Sequence, residues 1–191
     1  MQLKALFEAV AQALDGPLDI EGHGREALLR AEPPDAVTNG NTALPASVLE
    51  QMQAPGAHPV CALIAKTPLP WAPPGTSSDP KYIADSLAKV HVELLGPGGL
   101  VKSDQVRLGL YGMLPNAEYG IRTHPAEEIY VMLAGEVDWI RGDNPYQSHG
   151  PNERSYHLSL LPLATLTTDN AFMLIYIWHG YISTENYVYS G

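Results

Sequence analysis

The chain has 191 residues, 45% of them hydrophobic, which is enough to bury one substantial core and too short to favour two independent domains. Its formal net charge is −10 with only 11 Lys and Arg, so no basic stripe exists for phosphates or anionic lipid, and nucleic acid and membrane surfaces are excluded as partners. No apolar run approaches the ~20 residues that span a bilayer.

In chain order, Leu3, Leu6, Phe7, Val10 and Leu14 recur at helical spacing before Gly16-Pro17, which predicts an amphipathic helix over Leu3 to Leu14. Glu8 interrupts this segment where a signal peptide is continuously apolar, so a cytoplasmic protein is expected. A second helix is predicted over Glu26 to Ala31, and a third opens at Pro45 and runs through Val48, Leu49 and Met52. From Pro55 to Pro80 the prolines come too often for regular elements. That stretch reads as a connector laid along the surface, with Leu69 and Trp71 needing cover. Cys61, the lone cysteine, has no partner for a disulfide or a paired zinc motif and reads as a small buried apolar residue.

After Ile83 short alternating or β-branched runs are separated by turn residues every ten or so positions, the pattern of an all-β barrel or sandwich. Strands are predicted near Ala88 to Leu95, Val106 to Leu114, Ile129 to Leu133, Val137 to Ile140, Ser155 to Leu158, Ala164 to Thr168 and Met173 to Trp178. Residues 1–82 are thus expected to form a helical, proline-rich segment packed on a β unit of residues 83–191, one structural domain overall.

The informative stretch runs from Tyr119 through Arg122-Thr123-His124, Glu128, Ile129-Tyr130 and on to Gly135. It resembles the first cupin motif, in which two histidines flank one residue, a glutamate follows four positions later and a glycine closes the turn. His124, Glu128 and Gly135 match that motif, whereas Arg122 stands at the first histidine. The segment Gly150 to Ala164 resembles the second motif, with Leu158 and Leu160 replacing a proline and a glycine and Leu163 standing at the last metal histidine. The resemblance implies a mainly β cupin, a double-stranded β-helix or jelly-roll barrel, behind an N-terminal helical segment.

The run His124-Pro125-Ala126-Glu127-Glu128-Ile129-Tyr130, Tyr119 before it and the ending Trp178-His179-Gly180-Tyr181 are similar to the bacterial cupin-type dimethylsulfoniopropionate lyases of the DddQ kind. That resemblance implies metal-assisted β-elimination to acrylate and dimethylsulfide, with a divalent metal, zinc or iron, on His124 and Glu128. It also implies Tyr130 as the base and Tyr119 as a second catalytic residue. Arg122, Tyr176 and Trp178 are the expected substrate contacts.

The chemistry is consistent on its own terms. A cation at the carboxylate stabilises the charge that develops when the α-proton leaves, and aromatic faces suit a sulfonium. Tyr119, Trp139, Tyr176, Trp178 and Tyr181 are candidates for such a box. The expected partner is a small zwitterionic or carboxylate substrate, and the chain is read as a monomer or homodimer.

Other readings stand beside these. Arginine stays protonated and leucine has no lone pair, so two of four expected ligands are missing. A cupin that binds a small carboxylate without turnover is one alternative, and a metal-dependent cupin dioxygenase or isomerase is another. Arg122 is either a solvated loop residue or an inward cation pairing with Glu128 or a substrate carboxylate. His157, next to Tyr156, reaches the site only if the strand register slips. His149 and His179 read as solvent-facing or hydrogen-bonded residues, and Tyr130, Trp139 and Trp178 also fit a core.

Overall fold

The computed structural model describes residues 2–37 and 42–191. Its helices are α1 (Gln2–Ala13), α2 (Asp19–Arg30), α3 (Ala46–Gln53), α4 (Cys61–Lys66) and α5 (Pro80–Ser86). Its strands are β1 (Lys89–Gly96), β2 (Val101–Lys102), β3 (Val106–Met113), β4 (Glu118–Thr123), β5 (Glu127–Gly135), β6 (Val137–Arg141), β7 (Gln147–His149), β8 (Arg154–His157), β9 (Leu163–Leu166), β10 (Phe172–His179) and β11 (Val188–Tyr189). None of the described helices is long and apolar enough to cross a membrane.

The strands form two sheets, ordered β2-β1-β3-β10-β5-β8 and β11-β4-β9-β6-β7. Alternation along β5 and β10 shows what each face covers. Ile129, Val131, Leu133, Met173, Ile175 and Ile177 point to one side and share a core with Leu3, Leu6, Phe7 and Val10 of α1 and with Val48, Met52, Cys61 and Ile64 of α3 and α4. Tyr130, Met132, Phe172, Leu174, Tyr176 and Trp178 point to the other side and meet Tyr119, Val137, Trp139 and Leu163 of the second sheet. The larger sheet is therefore buried on both faces. That is why β5 and β10 read as continuous apolar runs instead of alternating ones.

Two glycines set close approaches. At Gly24 of α2 a Cβ would press on Ile177 and Leu108 of the sheet below, so a residue that weakens the helix lets it lie close to β3 and β10. Gly135, the motif glycine, turns from β5 into β6 with φ 75°, and a Cβ there would overlap the Ala171 carbonyl.

Several elements depart from the sequence expectation. α2 begins at Asp19 rather than near Glu26, because Gly22 and Gly24 are carried inside the helix. The proline-rich stretch contains α4, whose first residue follows Pro59-Val60, and α5 opens with Pro80 behind an Asp79 cap that accepts from Lys81 and Tyr82 backbone N–H groups at 2.8 and 3.1 Å. Proline in a first turn starts a helix and does not interrupt one. Leu69 and Trp71 are buried, as the connector reading required. Cys61 is buried too, and burial pushes its thiol up to about 12.

Candidate active site

β4 carries the first site residues, and its pairing with β9 explains how. Tyr119 lies opposite Thr165 and Arg122 opposite Leu163, so three steps along β4 match two along β9. This bulge turns both Tyr119 and Arg122 inward, where strict alternation would separate them. Both are buried, as is Leu163. The solvated reading of Arg122 is thereby overturned.

β5 then presents Glu128 and Tyr130 to the same interior. Trp178 is the strand partner of Glu128 and Tyr176 that of Tyr130. Tyr119, Arg122, Glu128, Tyr130, Tyr176 and Trp178 all line one cavity of about 280 Å3, with His91, Glu93, Arg107, Tyr111 and Tyr187 completing much of the wall. Trp139 and Tyr181 are not part of it. Trp139 is fully buried with its Nε1–H on Thr165 Oγ1 at 3.2 Å, and Tyr181 is exposed, its hydroxyl tied to Glu185 and Asn186. The proposed aromatic box thus loses two members and gains Tyr111 and Tyr187.

His124 Nδ1 lies 3.1 Å from the Ala126 carbonyl, an oxygen that only accepts, so Nδ1 carries the proton of that contact. Nε2 faces Glu128 Oε2, also at 3.1 Å, and donates to it when the ring carries its second proton. The other carboxylate oxygen, Oε1, accepts from Trp178 Nε1 at 2.6 Å, and the His124 ring stacks on Trp178 at 4.0 Å between centroids. Burial alone would raise the Glu128 carboxyl; the His124 hydrogen bond and the cationic surroundings, Arg122 included, outweigh it and hold the group below the usual carboxylate range.

Arg122 does not pair with Glu128, correcting one form of its inward reading. Its Nη2 donates to the Tyr130 hydroxyl at 3.1 Å and Thr165 Oγ1 at 2.9 Å. Its Nη1 donates to the carbonyls of Tyr119 and Gly120.

Histidine Nδ1 on a backbone carbonyl is the usual support of a metal-bound imidazole, so His124 and Glu128 offer two convergent donors. The set ends there. Arginine and leucine fill the other two positions, and among the described residues no three His, Cys, Asp or Glu gather for a metal. A tight site needs three or four protein ligands, and a guanidinium in the same cavity repels a divalent ion. The residues present do not fit the metal that the resemblance implied.

Several neighbours escaped the sequence reading. His157 is Glu128's strand partner on β8 and faces inward with no register slip, because Ser155 and His157 alternate with the outward Tyr156. Its Nε2 meets Ser155 Oγ at 3.0 Å, its Nδ1 has no partner, and burial pushes it down to about 3. His91 Nε2 lies 2.7 Å from the Tyr176 hydroxyl. Nothing local marks His91, and His157 is expected there only with a slipped register; pairing between distant strands brings both in. Leu160 has φ 61°, a left-handed value that favours glycine, at the position where the resembled second motif has one. His149 ends β7 half-buried, 5.0 Å from the Trp139 ring, and His179 closes β10 with Nδ1 on Glu127 at 2.7 Å.

Lys89 sits behind the cavity wall with its Nζ 3.0 Å from the Tyr119 ring centroid and 4.8 Å from that of Tyr82, and without a hydrogen-bond partner. Burial, reinforced by the charge of Arg122, pushes it down to about 6. An unfolded chain holds that proton up to about pH 10. Between those limits the unfolded state binds more protons, so this group makes stability rise with pH. Lys89→Met should stabilise the protein by about 1–4 kcal/mol at neutral pH and flatten that rise. Urea unfolding at pH 7 and 9 checks this; a variant weaker than the parent at both would refute it.

Comparison with known proteins agrees with this architecture. The fold, two facing sheets behind helices with a cavity between them, is of the cupin class. The family model of the dimethylsulfoniopropionate lyases matches residues 69–174, more than half of the chain, and the chain belongs to that family. The lyase DddQ of Ruegeria pomeroyi is 37% identical over 91 residues, which are 48% of this chain and 45% of that protein. The match thus spans under half the length of that curated relative. Among solved structures, a chain from the crystal structures of the dimethylsulfoniopropionate lyases RdDddP and RnDddQII superposes with a TM-score of 0.68 at 19% identity, covering 100% of this chain and 98% of its own. The crystal structure of DddQ from Ruegeria pomeroyi gives 0.59 at 23% identity, covering 94% and 96%.

Proposed function

We propose that this cavity performs β-elimination on a small zwitterionic carboxylate, dimethylsulfoniopropionate in the first place, with Tyr130 as the base. The observation that carries the reading is the Tyr130 hydroxyl, placed in the cavity against the Arg122 guanidinium at 3.1 Å. The Tyr130 phenolate takes the α-proton, the C–H electron pair becomes the new double bond, and the C–S bond breaks with its electrons on sulfur. Acrylate and neutral dimethylsulfide leave. The faces of Tyr176 and Trp178 are the sulfonium's surroundings.

Burial first and the Glu128 charge next hold the Tyr130 phenol well above its ordinary range, while Arg122 works against them. The phenol is thus the resting form, and elimination should quicken as pH rises because more of the tyrosine is then phenolate. Proton NMR of the protein with dimethylsulfoniopropionate tests the reading. Vinyl signals of acrylate should grow in proportion to protein and faster at pH 9 than at pH 7. Their absence at both would leave a carboxylate-binding module in place of a lyase.

A further inference from the structure

A buried cation needs an anion, and Arg122 has none of its own. The residue is 2% exposed, and all four of its terminal N–H groups go to neutral acceptors: two carbonyls and the hydroxyls of Tyr130 and Thr165. The Nε–H has no acceptor among the described residues. The Tyr119 ring adds its face 3.8 Å from Cζ. Neutral groups satisfy the donors, but no carboxylate touches the guanidinium, and Glu128 acts on it only at a distance, a costly state for a buried charge. The carboxylates lining the cavity are committed elsewhere: Glu128 to His124 and Trp178, and Glu93 to Arg107 at 2.6 Å.

Arg122 stands where the cupin motif has its first metal histidine, and its strand partner Leu163 where the motif has its last. A full positive charge has thus entered a site from which two ligands have gone. We infer that Arg122 takes over the role of that metal: in this chain the guanidinium holds the substrate carboxylate. The inference deepens the lyase reading and rests on it for the identity of the substrate.

The geometry suits the task. The free Nε–H, together with an Nη–H released from the Thr165 hydroxyl, grips both oxygens of a carboxylate side by side. Nη2 already bonds the Tyr130 oxygen, so a carboxylate anchored on Arg122 brings its α-carbon to the base. As the α-carbon loses its proton, charge spreads onto the carboxylate oxygens, where a fixed guanidinium stabilises it.

Propionate is the probe, titrated calorimetrically into the whole protein before and after dialysis against EDTA. Its Kd should be unchanged by the chelator and weaken on the order of 10- to 100-fold in Arg122→Gln. Arg122→Lys, with its charge but without the planar fork, should fall between. If Arg122→Gln is unfolded by circular dichroism, heteronuclear NMR of the parent decides. The Arg122 Nε–H resonance, identified by its loss in Arg122→Lys, must shift when propionate is added. The inference is overturned by no propionate binding, by binding that EDTA abolishes, by full binding in a folded Arg122→Gln variant, or by an unmoved Nε–H resonance. Failure of the lyase reading looks different: propionate still binds through Arg122 while dimethylsulfoniopropionate gives no acrylate.

Discussion

Arg122→His combined with Leu163→His should convert the cavity into a metal centre, raising zinc affinity on the order of 100-fold or more over the parent. Arg122 and Leu163 are opposite each other in the β4–β9 register and buried, so imidazoles there would converge with His124 Nε2 and Glu128 Oε2. Each adds a nitrogen lone pair, and the first change also deletes a cation that repels the ion. Either single variant should gain less than its share of the pair, because ligands of one ion are coupled. Leu163→His alone leaves the guanidinium in place and should gain least. Calorimetric zinc titration of parent, singles and double is the check. A folded double variant binding no better than the parent would mean that these positions do not converge.

Tyr130→Phe is the second large effect. It removes the phenolic oxygen alone, with the ring still packed at 5.0 Å from Trp139, and should lower acrylate release by about 10²- to 10⁴-fold while thermal unfolding changes little. Propionate should still bind, since the Arg122 charge remains. A folded variant with full turnover would move the base elsewhere, and Tyr176, whose hydroxyl lies 2.7 Å from His91 Nε2, is the group that the same assay would then test.

The sequence made the long inner strands and the motif legible and hid what depends on pairing. β3, β5 and β10 are dense apolar runs and were placed within two residues at each end. β4 was not predicted, because Gly120 and the outward Ile121 break its alternation and its bulge has no sequence mark, yet it carries Tyr119 and Arg122. β2, β7 and β11 have two or three residues each, too few for a period to show. α4 and α5 lie among prolines spaced too closely for a helical period to show. Resemblance to one motif and to the lyases points to His124, Glu128 and Tyr130. Lys89, His91 and His157 lie on other strands, and only the register of β1 with β3 and of β5 with β8 brings them near. The inward course of Arg122 was one of two readings, and burial between the sheets selects it.

On the inference drawn above, a fixed guanidinium does here what the cupin motif assigns to a metal. One preparation, dialysed against EDTA, assayed for metal and then given dimethylsulfoniopropionate, tests it most directly. Acrylate release is expected at the undialysed rate with metal far below one ion per chain. Acrylate release that stops with EDTA and returns with added zinc or iron would contradict it.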